Sequence, residues 1–218
     1  MDHRYIVVEG PIGVGKTSLT QLLAERLSAK RVLEQVEENP FLERFYQDRQ
    51  QHAFQTQLFF LLSRYRQQQQ LGQQDLFRKG MVSDYLFAKD RIFASLNLDE
   101  NELALYERVY EALGPRIPKP DLVIYLQGRL EVLLGRIKRR GRDYERKFDG
   151  EYLEQVLHAY NQYFFHYADT PLLVINTSEI DFVNNPDDFE HLMGVIRKMK
   201  KGTHHYLPLA TTPGGLAE

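Results

Sequence analysis

Cysteine and tryptophan are both absent from the 218-residue chain, and no apolar run approaches the length of a membrane span. Without cysteine the protein forms no disulfide and has no thiolate nucleophile or thiolate metal ligand. A membrane-spanning helix needs about 20 consecutive apolar residues, so we expect no membrane insertion. The N-terminus lacks a basic region followed by a long apolar segment, so we expect a cytoplasmic protein rather than a secreted one.

An excess of charge of either sign is also lacking. Lysine and arginine total 28, aspartate and glutamate total 30, and the formal net charge is -2. This balance gives no general attraction to nucleic acid, so we expect no nucleic-acid partner. Hydrophobic residues make up 43% of the chain, which is ordinary for one large globular domain.

Short apolar runs rich in branched residues predict five strands. They lie at residues 5–8, 31–36, 81–83, 122–126 and 172–175. Between these runs the apolar residues recur at helical spacing, and strands that alternate with helices predict an α/β fold with a parallel sheet. We expect one domain over residues 1–207 and a flexible tail at 208–218, which has few apolar residues to anchor it.

The residues after the first predicted strand form a phosphate-binding loop, or P-loop. They match G-x-x-x-x-G-K-[ST] and open an amphipathic helix, as this motif requires; a glycine turn without a ligand is the alternative. Glycines let successive backbone N–H groups face phosphate oxygens, the lysine adds a charge between the β- and γ-phosphates, and the threonine hydroxyl ligates Mg²⁺. The candidate ATP-binding residues are Gly10, Pro11, Ile12, Gly13, Val14, Gly15, Lys16 and Thr17, of which Thr17 is also a candidate metal ligand.

The P-loop alone does not distinguish a GTPase switch, a motor ATPase and a small-molecule kinase. The D-x-x-G and N-K-x-D patterns of GTPases do not occur in this sequence. A kinase needs one carboxylate to accept the proton of the acceptor hydroxyl and another for the metal. Glu34 in the second predicted strand and Asp84 after the third would meet at the edge of the sheet that carries the P-loop. We favour Glu34 as general base and Asp84 as magnesium ligand; the reverse assignment and ordinary surface acids are the alternatives.

A cluster of arginines predicts a lid. Arg136 and Arg140 lie four residues apart on one helix face, Gly141 suits the end of that helix, and Arg142 follows. A helical, arginine-rich lid at residues 136–150 would close over ATP, place guanidinium groups on phosphate oxygens and exclude water. A solvated basic helix and a local nucleic-acid patch are the alternatives.

These motifs together resemble the deoxynucleoside kinase family, and within it the bacterial deoxyguanosine and deoxyadenosine kinases. The resemblance covers nearly the whole chain and rests on residues 10–17, 34–41, 54–57, 63–65, 83–85 and 136–145. It implies a P-loop kinase fold with a five-stranded parallel sheet flanked by helices, and a homodimer. It also implies transfer of the γ-phosphate of ATP, with Mg²⁺, to the 5′-hydroxyl of a deoxynucleoside in nucleotide salvage.

The resemblance also implies roles for single residues. Glu34 matches the general base, in agreement with the argument above, and the three arginines match those of the lid. Tyr46 and Glu145 match the pair that holds the sugar 3′-hydroxyl. Asp181 and Phe182 resemble the loop that packs on the adenine of ATP.

Two further positions match residues that recognise the base. Gln57 and Arg64 are seven residues apart, which places them on one face of a helix. A glutamine amide both donates and accepts hydrogen bonds, which suits the edge of a purine.

Residues 83–85 depart from the family pattern. They read Ser-Asp-Tyr, whereas many members have an arginine after the acid. In one alignment Tyr85 replaces this arginine; in the other, shifted by one, Asp84 does. The shifted alignment places Lys89 against the base and stacks Phe93 on it. Lysine only donates hydrogen bonds and so favours the O6 and N7 acceptors of guanine; an exposed lysine is the alternative.

Deoxyguanosine is therefore the favoured substrate, followed by deoxyadenosine. Two rival functions stay open at this point. A nucleoside monophosphate kinase of the thymidylate kinase type shares the P-loop and the lid, and a non-catalytic nucleotide-binding module shares the P-loop alone.

Overall fold

A computed structural model describes residues 3–74, 80–113, 117–142, 149–206 and 208, with the side chains of 70–74 left out. Its centre is a parallel sheet of six strands in the order β2-β3-β1-β4-β5-β6, so the expected α/β fold is confirmed and the expected number of five strands is wrong. The strands are β1 (Tyr5–Glu9), β2 (Lys30–Val32), β3 (Met81–Ser83), β4 (Leu122–Gln127), β5 (Leu172–Asn176) and β6 (Thr203–Tyr206).

The additional strand, β6, lies at one edge of the sheet. It pairs with β5 in parallel, with Thr203 opposite Leu172 and Tyr206 opposite Ile175. Three of its four residues are exposed, and its sequence Thr-His-His-Tyr contains no apolar run. An edge strand joins the sheet through backbone hydrogen bonds to one neighbour, and these bonds do not depend on apolar side chains. The apolar runs by which the other strands were predicted are therefore lacking here.

The second strand is shorter than predicted, and this changes the setting of Glu34. β2 ends at Val32 rather than at residue 36. The backbone N–H of Glu34 donates to the carboxylate of Asp84 instead of to a neighbouring strand, at 2.7 Å. The carbonyl of Leu33 accepts from the side chain of Gln67 at 2.9 Å. Glu34 therefore lies in a loop at the carboxyl edge of the sheet.

Helices cover both faces of the sheet. Along β1, Ile6 and Val8 pack in one hydrophobic cluster with α1, α6 and α8, while Tyr5 and Val7 pack in another with α2, α4 and α7. This alternation buries both faces of the strand, as in other parallel sheets. The helices are α1 (Lys16–Leu27), α2 (Leu42–Gln47), α3 (Arg49–Gln74), α4 (Lys89–Asn97), α5 (Glu100–Leu113), α6 (Leu130–Arg140), α7 (Gly150–Phe165) and α8 (Pro186–Lys198), with a short 3-10 turn at Val36–Glu38.

The topology brings the functional segments to one edge. The P-loop follows β1, the Glu34 loop follows β2 and Asp84 follows β3, and these three strands are neighbours in the sheet. Parallel strands present their carboxyl ends at the same side, so the three segments meet there. No helix in the described ranges is long and apolar enough to cross a membrane. Residues 209–218 of the predicted tail lie outside the described residues.

Candidate active site

The P-loop has a backbone that only glycine accepts at two positions. Gly10 and Gly13 have φ angles of 153° and 83°. A Cβ atom would lie 2.4 Å from the carbonyl oxygen of Leu126 at Gly10, and 2.8 Å from Cγ1 of Ile137 at Gly13. Both the left-handed region of φ and the close contacts exclude a side chain. The loop after β1 is thus shaped by its own glycines and held against β4 and α6.

Lys16, the first residue of α1, curls back over the P-loop. Its Nζ donates to the carbonyl oxygens of Gly10 at 2.7 Å and of Pro11 at 3.1 Å. Burial, followed by the nearby charge of Lys89, lowers the pKa of Lys16 to about 8. The ammonium group is therefore fixed at the mouth of the loop, where phosphate oxygens would lie.

Asp84 joins the P-loop to the Glu34 loop. One carboxylate oxygen accepts from the hydroxyl of Thr17 at 2.8 Å, and the other accepts from the backbone N–H of Glu34 at 2.7 Å. Thr17 and Asp84 both line the cavity described below. A hydroxyl and a carboxylate are the hard oxygen ligands that Mg²⁺ prefers, so this pair fits a magnesium ion bound to nucleotide phosphates.

Glu34 lies between two cations from two different helices. Arg64 of α3 donates to its Oε1 through Nε, at 2.9 Å, and through Nη2. Lys89 of α4 donates to its Oε2 at 2.7 Å. Burial opposes ionisation of Glu34, but the charges of Arg64 and Lys89 outweigh it and hold the pKa of the carboxyl well below its usual range. Glu34 is therefore an ionised carboxylate with a fixed orientation.

Arg64 also pairs with a second buried acid, Asp90, through its Nη1. Asp90 is fully buried, and its Oδ2 has no hydrogen-bond partner among the described residues. Burial raises the pKa of Asp90 to about 7, against the opposing charge of Arg64. Glu34, Arg64, Lys89 and Asp90 thus form a connected group of two acids and two cations, which we call the buried quartet.

A cavity of about 430 Å³ runs from the P-loop to the buried quartet. It is large enough to hold a small-molecule ligand. Its wall contains most of the residues that the sequence singled out. These are Ile12, Gly13, Lys16, Thr17, Glu34, Tyr46, Gln57, Arg64, Asp84, Lys89, Phe93, Arg140 and Arg142.

Comparison with known proteins decides the family. The sequence model of the deoxynucleoside kinase family matches residues 6–201. The chain belongs to this family. It is 36% identical over 201 residues to the deoxyguanosine kinase of Bacillus subtilis, and this alignment covers 89% of this chain and 97% of that protein. It is 34% identical to the deoxyadenosine/deoxycytidine kinase of the same organism over 199 residues, 88% of this chain and 90% of that protein.

Solved structures agree with this assignment. A structure of deoxyadenosine kinase from M. mycoides with bound dATP superposes with a TM-score of 0.77 and 27% identity, over 89% of this chain and all of that one (100%). The same enzyme with bound dCTP gives a TM-score of 0.76 at 26% identity, with coverages of 89% and 99%. The resemblance seen in the sequence is confirmed, and the protein is a deoxynucleoside kinase.

Some predicted site residues of the kinase lie away from the cavity wall. Tyr85 is fully buried beside Val32, and its hydroxyl accepts from Gln68 at 3.1 Å. Burial raises the pKa of this hydroxyl far above its usual range. The structure does not bring Tyr85 to the predicted substrate site, because its ring turns into the core between β2 and α3. Glu145 lies outside the described residues.

Arg136 was predicted in the lid, and Asp181 and Phe182 were predicted against the adenine of ATP. Arg136 donates to the carbonyl of Val14 at 3.2 Å and to the carbonyl of Thr177 at 3.0 Å, so its guanidinium lies behind the P-loop. Asp181 accepts hydrogen bonds within its own loop, from the backbone and side chain of Asn184. Phe182 is buried. These residues surround the P-loop but are not part of the cavity wall.

Two residues of the site escaped the sequence analysis. Asp90 follows Lys89 directly in the sequence, and its position next to a candidate substrate-binding lysine was the signal that could have identified it. Glu9 is the last residue of β1 and is completely buried. Its carboxylate accepts from the backbone N–H groups of Gly10, at 2.8 Å, and Leu86, at 2.7 Å. The predicted first strand ended at Val8, and nothing in the local sequence indicates that the residue after it binds the backbone of two loops.

Proposed function

We propose that this kinase transfers the γ-phosphate of ATP, together with Mg²⁺, to the 5′-hydroxyl of a purine deoxynucleoside in cytoplasmic nucleotide salvage. The observation that carries the proposal is the position of Glu34, whose carboxylate lines the same cavity as Lys16 and Thr17. A carboxylate placed there can accept the proton of a hydroxyl that attacks a phosphate held by the P-loop.

In the proposed reaction, Glu34 takes the proton of the 5′-hydroxyl as that oxygen forms a bond to the γ-phosphorus. The bond from the γ-phosphorus to the β–γ bridging oxygen breaks, and ADP leaves with the electron pair. Phosphoryl transfer depends mainly on positioning and charge stabilisation, so a weakly basic carboxylate in a fixed place suits this step. Lys16 would neutralise charge on the transferred group.

The metal is proposed to bind at Thr17 and Asp84. Their oxygens lie 2.8 Å apart and face the cavity, so both can turn toward one ion. When bound, Mg²⁺ supplies positive charge across the β- and γ-phosphate oxygens. Because Asp84 also holds the backbone of Glu34, the metal site and the base are linked through one side chain.

The arginines at the C-terminal end of α6 and just beyond it are proposed to form the lid. Arg140 and Arg142 line the cavity, and Nη2 of Arg142 lies 3.5 Å from the carboxylate of Glu37 on the opposite wall. Both guanidinium groups line the same cavity as Lys16 and Thr17, and arginine binds phosphate oxygens bidentately. Arg136, with Asp181 and Phe182, is proposed to contact ATP from the adenine side. Residues 143–148 of the predicted lid lie outside the described residues.

Deoxyguanosine is proposed as the preferred acceptor, with deoxyadenosine second. Support comes from the relatives at 30% identity or more, several of which are named deoxyguanosine kinase or deoxyadenosine kinase. Gln57 supports a purine as well, because this nearly buried amide lines the cavity and can donate and accept at one base edge. Tyr46 lines the cavity too and is proposed, with Glu145, to hold the sugar 3′-hydroxyl.

A nucleoside monophosphate kinase is the rival that the structure disfavours. Its acceptor carries a phosphate and requires cations to bind it. Arg64 and Lys89, the buried cations beside Glu34, are both bonded to carboxylates. An acceptor phosphate would have to separate these buried pairs, at a cost of several kcal/mol.

The test is incubation of the kinase with ATP, Mg²⁺ and each of the four deoxynucleosides, followed by separation of the products. We expect the 5′-monophosphate of deoxyguanosine to form fastest and none to form without Mg²⁺. Preferred phosphorylation of dTMP would overturn the acceptor assignment in favour of the thymidylate kinase type. No product from any acceptor would overturn the catalytic proposal and indicate a binding module.

A homodimer is proposed on the outer face of α4 and α7. Two shallow hollows on this face are both lined by Ile92, Ser95, Ala159 and Gln162. Phe165 at the end of α7 is 85% exposed, which is unusual for a large aromatic residue. Sedimentation velocity at micromolar concentration should give twice the chain mass, and Ala159→Glu should halve it. A monomeric wild-type protein would exclude this assembly.

A further inference from the structure

Lys89 contacts a different group from the one that the sequence analysis expected it to contact. It is the first residue of α4, it is almost completely buried, and its Nζ lies 2.7 Å from Oε2 of Glu34. The sequence analysis placed its ammonium against the base of the substrate. In the structure the ammonium instead touches the carboxylate that is proposed to act as general base.

Glu34 depends on its side-chain partners for orientation. It lies in the loop after β2, where Asp84 holds its backbone N–H. Arg64 holds one carboxylate oxygen and Lys89 holds the other. Since the two cations come from separate helices and bind separate oxygens, together they fix both the direction of the side chain and the plane of the carboxylate.

Arg64 alone does not suffice for this task, because it serves two acids. Its Nη1 binds Asp90, while Nε and Nη2 bind Glu34. Without Lys89, Oε2 of Glu34 would lose its cation in a buried place, and Arg64 would be shared between two acids. A buried charge left unpaired in this way is strongly unfavourable.

Lys89 has three N–H donors, but a base-reading role that turned its ammonium away from Glu34 and onto the purine would break this ion pair. A charge-assisted hydrogen bond is about twice as strong as one to a neutral acceptor, and a guanine edge is neutral. Breaking a buried ion pair leaves the carboxylate of Glu34 half satisfied, which guanine O6 and N7 do not repair. The energetic balance therefore keeps Lys89 on Glu34 when a purine is bound.

We infer that Lys89 is a positioning residue, which orients the Glu34 carboxylate toward the acceptor hydroxyl and does not select the base. This inference rests on the proposed role of Glu34. Base preference then comes from other residues of the cavity wall. Gln57 is the strongest candidate, because its amide can both donate and accept hydrogen bonds.

The test compares Lys89→Met and Lys89→Arg with wild type, using deoxyguanosine and deoxyadenosine as acceptors. We expect Lys89→Met to lower kcat about 100-fold with both, as for a misplaced catalytic group, and to leave the KM for ATP unchanged. The ratio of kcat/KM for the two purines should stay constant in both variants, and arginine should restore most of kcat. Lys198→Met, at the exposed end of α8, controls for loss of a lysine as such.

A changed purine ratio would overturn the inference, since only a base reader selects between purines. Lys89→Arg decides this point even if Lys89→Met does not fold, because arginine keeps the charge but presents a different set of donors. An unchanged kcat in Lys89→Met would overturn it as well.

A double-mutant cycle separates this inference from the proposed function. Lys89→Met added to Glu34→Gln should cause no further loss of kcat, since no carboxylate is left to position. Full additivity would contradict positioning and indicate an independent role for Lys89. If the single variant Glu34→Gln keeps full turnover, the proposed role of Glu34 is wrong. If Lys89→Met keeps full turnover while Glu34→Gln loses it, the role of Glu34 stands and the inference about Lys89 is wrong.

Discussion

The two ends of the cavity, named by the substrates proposed to bind them, are built in opposite ways. The phosphate end is made of the consecutive residues 10–17, which comprise the glycine loop after β1 and Lys16 and Thr17 at the start of α1. The acceptor end is made of buried side chains from distant segments: Glu34 from a loop, Arg64 from α3, and Lys89 and Asp90 from α4. The first end therefore depends on backbone conformation, and the second depends on charge balance.

The sharpest way to break the acceptor end is to remove the carboxylate itself. Glu34→Gln keeps the size of the side chain but removes its capacity to accept a proton. We expect kcat to fall roughly 10²- to 10⁴-fold while ATP still binds, as for loss of a general base. Steady-state kinetics and a nucleotide-binding titration measure the two effects. The exposed Glu43→Gln on α2 is the control, and equal turnover in both variants would contradict the role of Glu34.

Removal of the shared cation tests the charge balance of the quartet. Arg64→Met leaves Glu34 and Asp90 with Lys89 as the remaining cation of the quartet. Breaking buried pairs in this way should lower the free energy of unfolding by about 3–5 kcal/mol. Denaturant unfolding measures this, and Arg66→Met, exposed on the same helix, should change it little. A loss of stability equal to that of Arg66→Met would mean that the quartet is not structural.

The acceptor end should also make stability depend on pH. The pKa of Asp90 is raised from 3.8 to about 7, so between these values the folded chain binds a proton that the unfolded chain has released. The free energy of unfolding of the wild type, measured relative to that of Asp90→Asn, should therefore fall as pH rises from about 4 to about 7. The slope should be at most about 1.4 kcal/mol per pH unit. Unfolding curves of both proteins across this range measure the slope. A constant difference would contradict the raised pKa.

The smallest expected effect concerns the backbone of the phosphate end. Gly13→Ala places a Cβ atom 2.8 Å from Ile137 at a φ of 83°. We expect about 1–3 kcal/mol of strain and a higher KM for ATP, while the KM for the nucleoside changes little. Gly194→Ala is the matched control, because nothing lies within 4 Å of the added atom in α8. A matching rise in the nucleoside KM would show that the two ends are not separable.

This contrast also explains what the sequence could predict. The P-loop could be predicted from the sequence because its motif consists of adjacent residues, and its glycines have the positive φ angles that such a loop requires. Glu34 was predicted within the second strand and Asp84 at the end of the third, and the expectation that both lie at the P-loop edge of the sheet followed from the convergence of parallel strand ends there. The partnership of Lys89 with Glu34 was missed, because 55 positions separate the two residues and only the packing of α4 against the Glu34 loop brings them together.

Other misses have equally concrete causes. β6 has almost no buried side chains and therefore gave no apolar pattern. Tyr85 was expected at the substrate because alignment of residues 83–85 placed it at a motif position. The direction of its side chain is set by Gln68 and the core between β2 and α3, which no local pattern reveals.

The buried carboxylate of Glu9 connects the two ends of the cavity through hydrogen bonds. A single carboxylate accepts from the first N–H of the P-loop and from the N–H of Leu86, and the carbonyl of Leu86 in turn accepts from the N–H of Lys89. Hydrogen bonds tolerate displacements of only a few tenths of an ångström before they weaken. Glu9 therefore ties the first residue of the P-loop to the segment that begins α4, so one side chain sets the spacing between the proposed phosphate and acceptor sites.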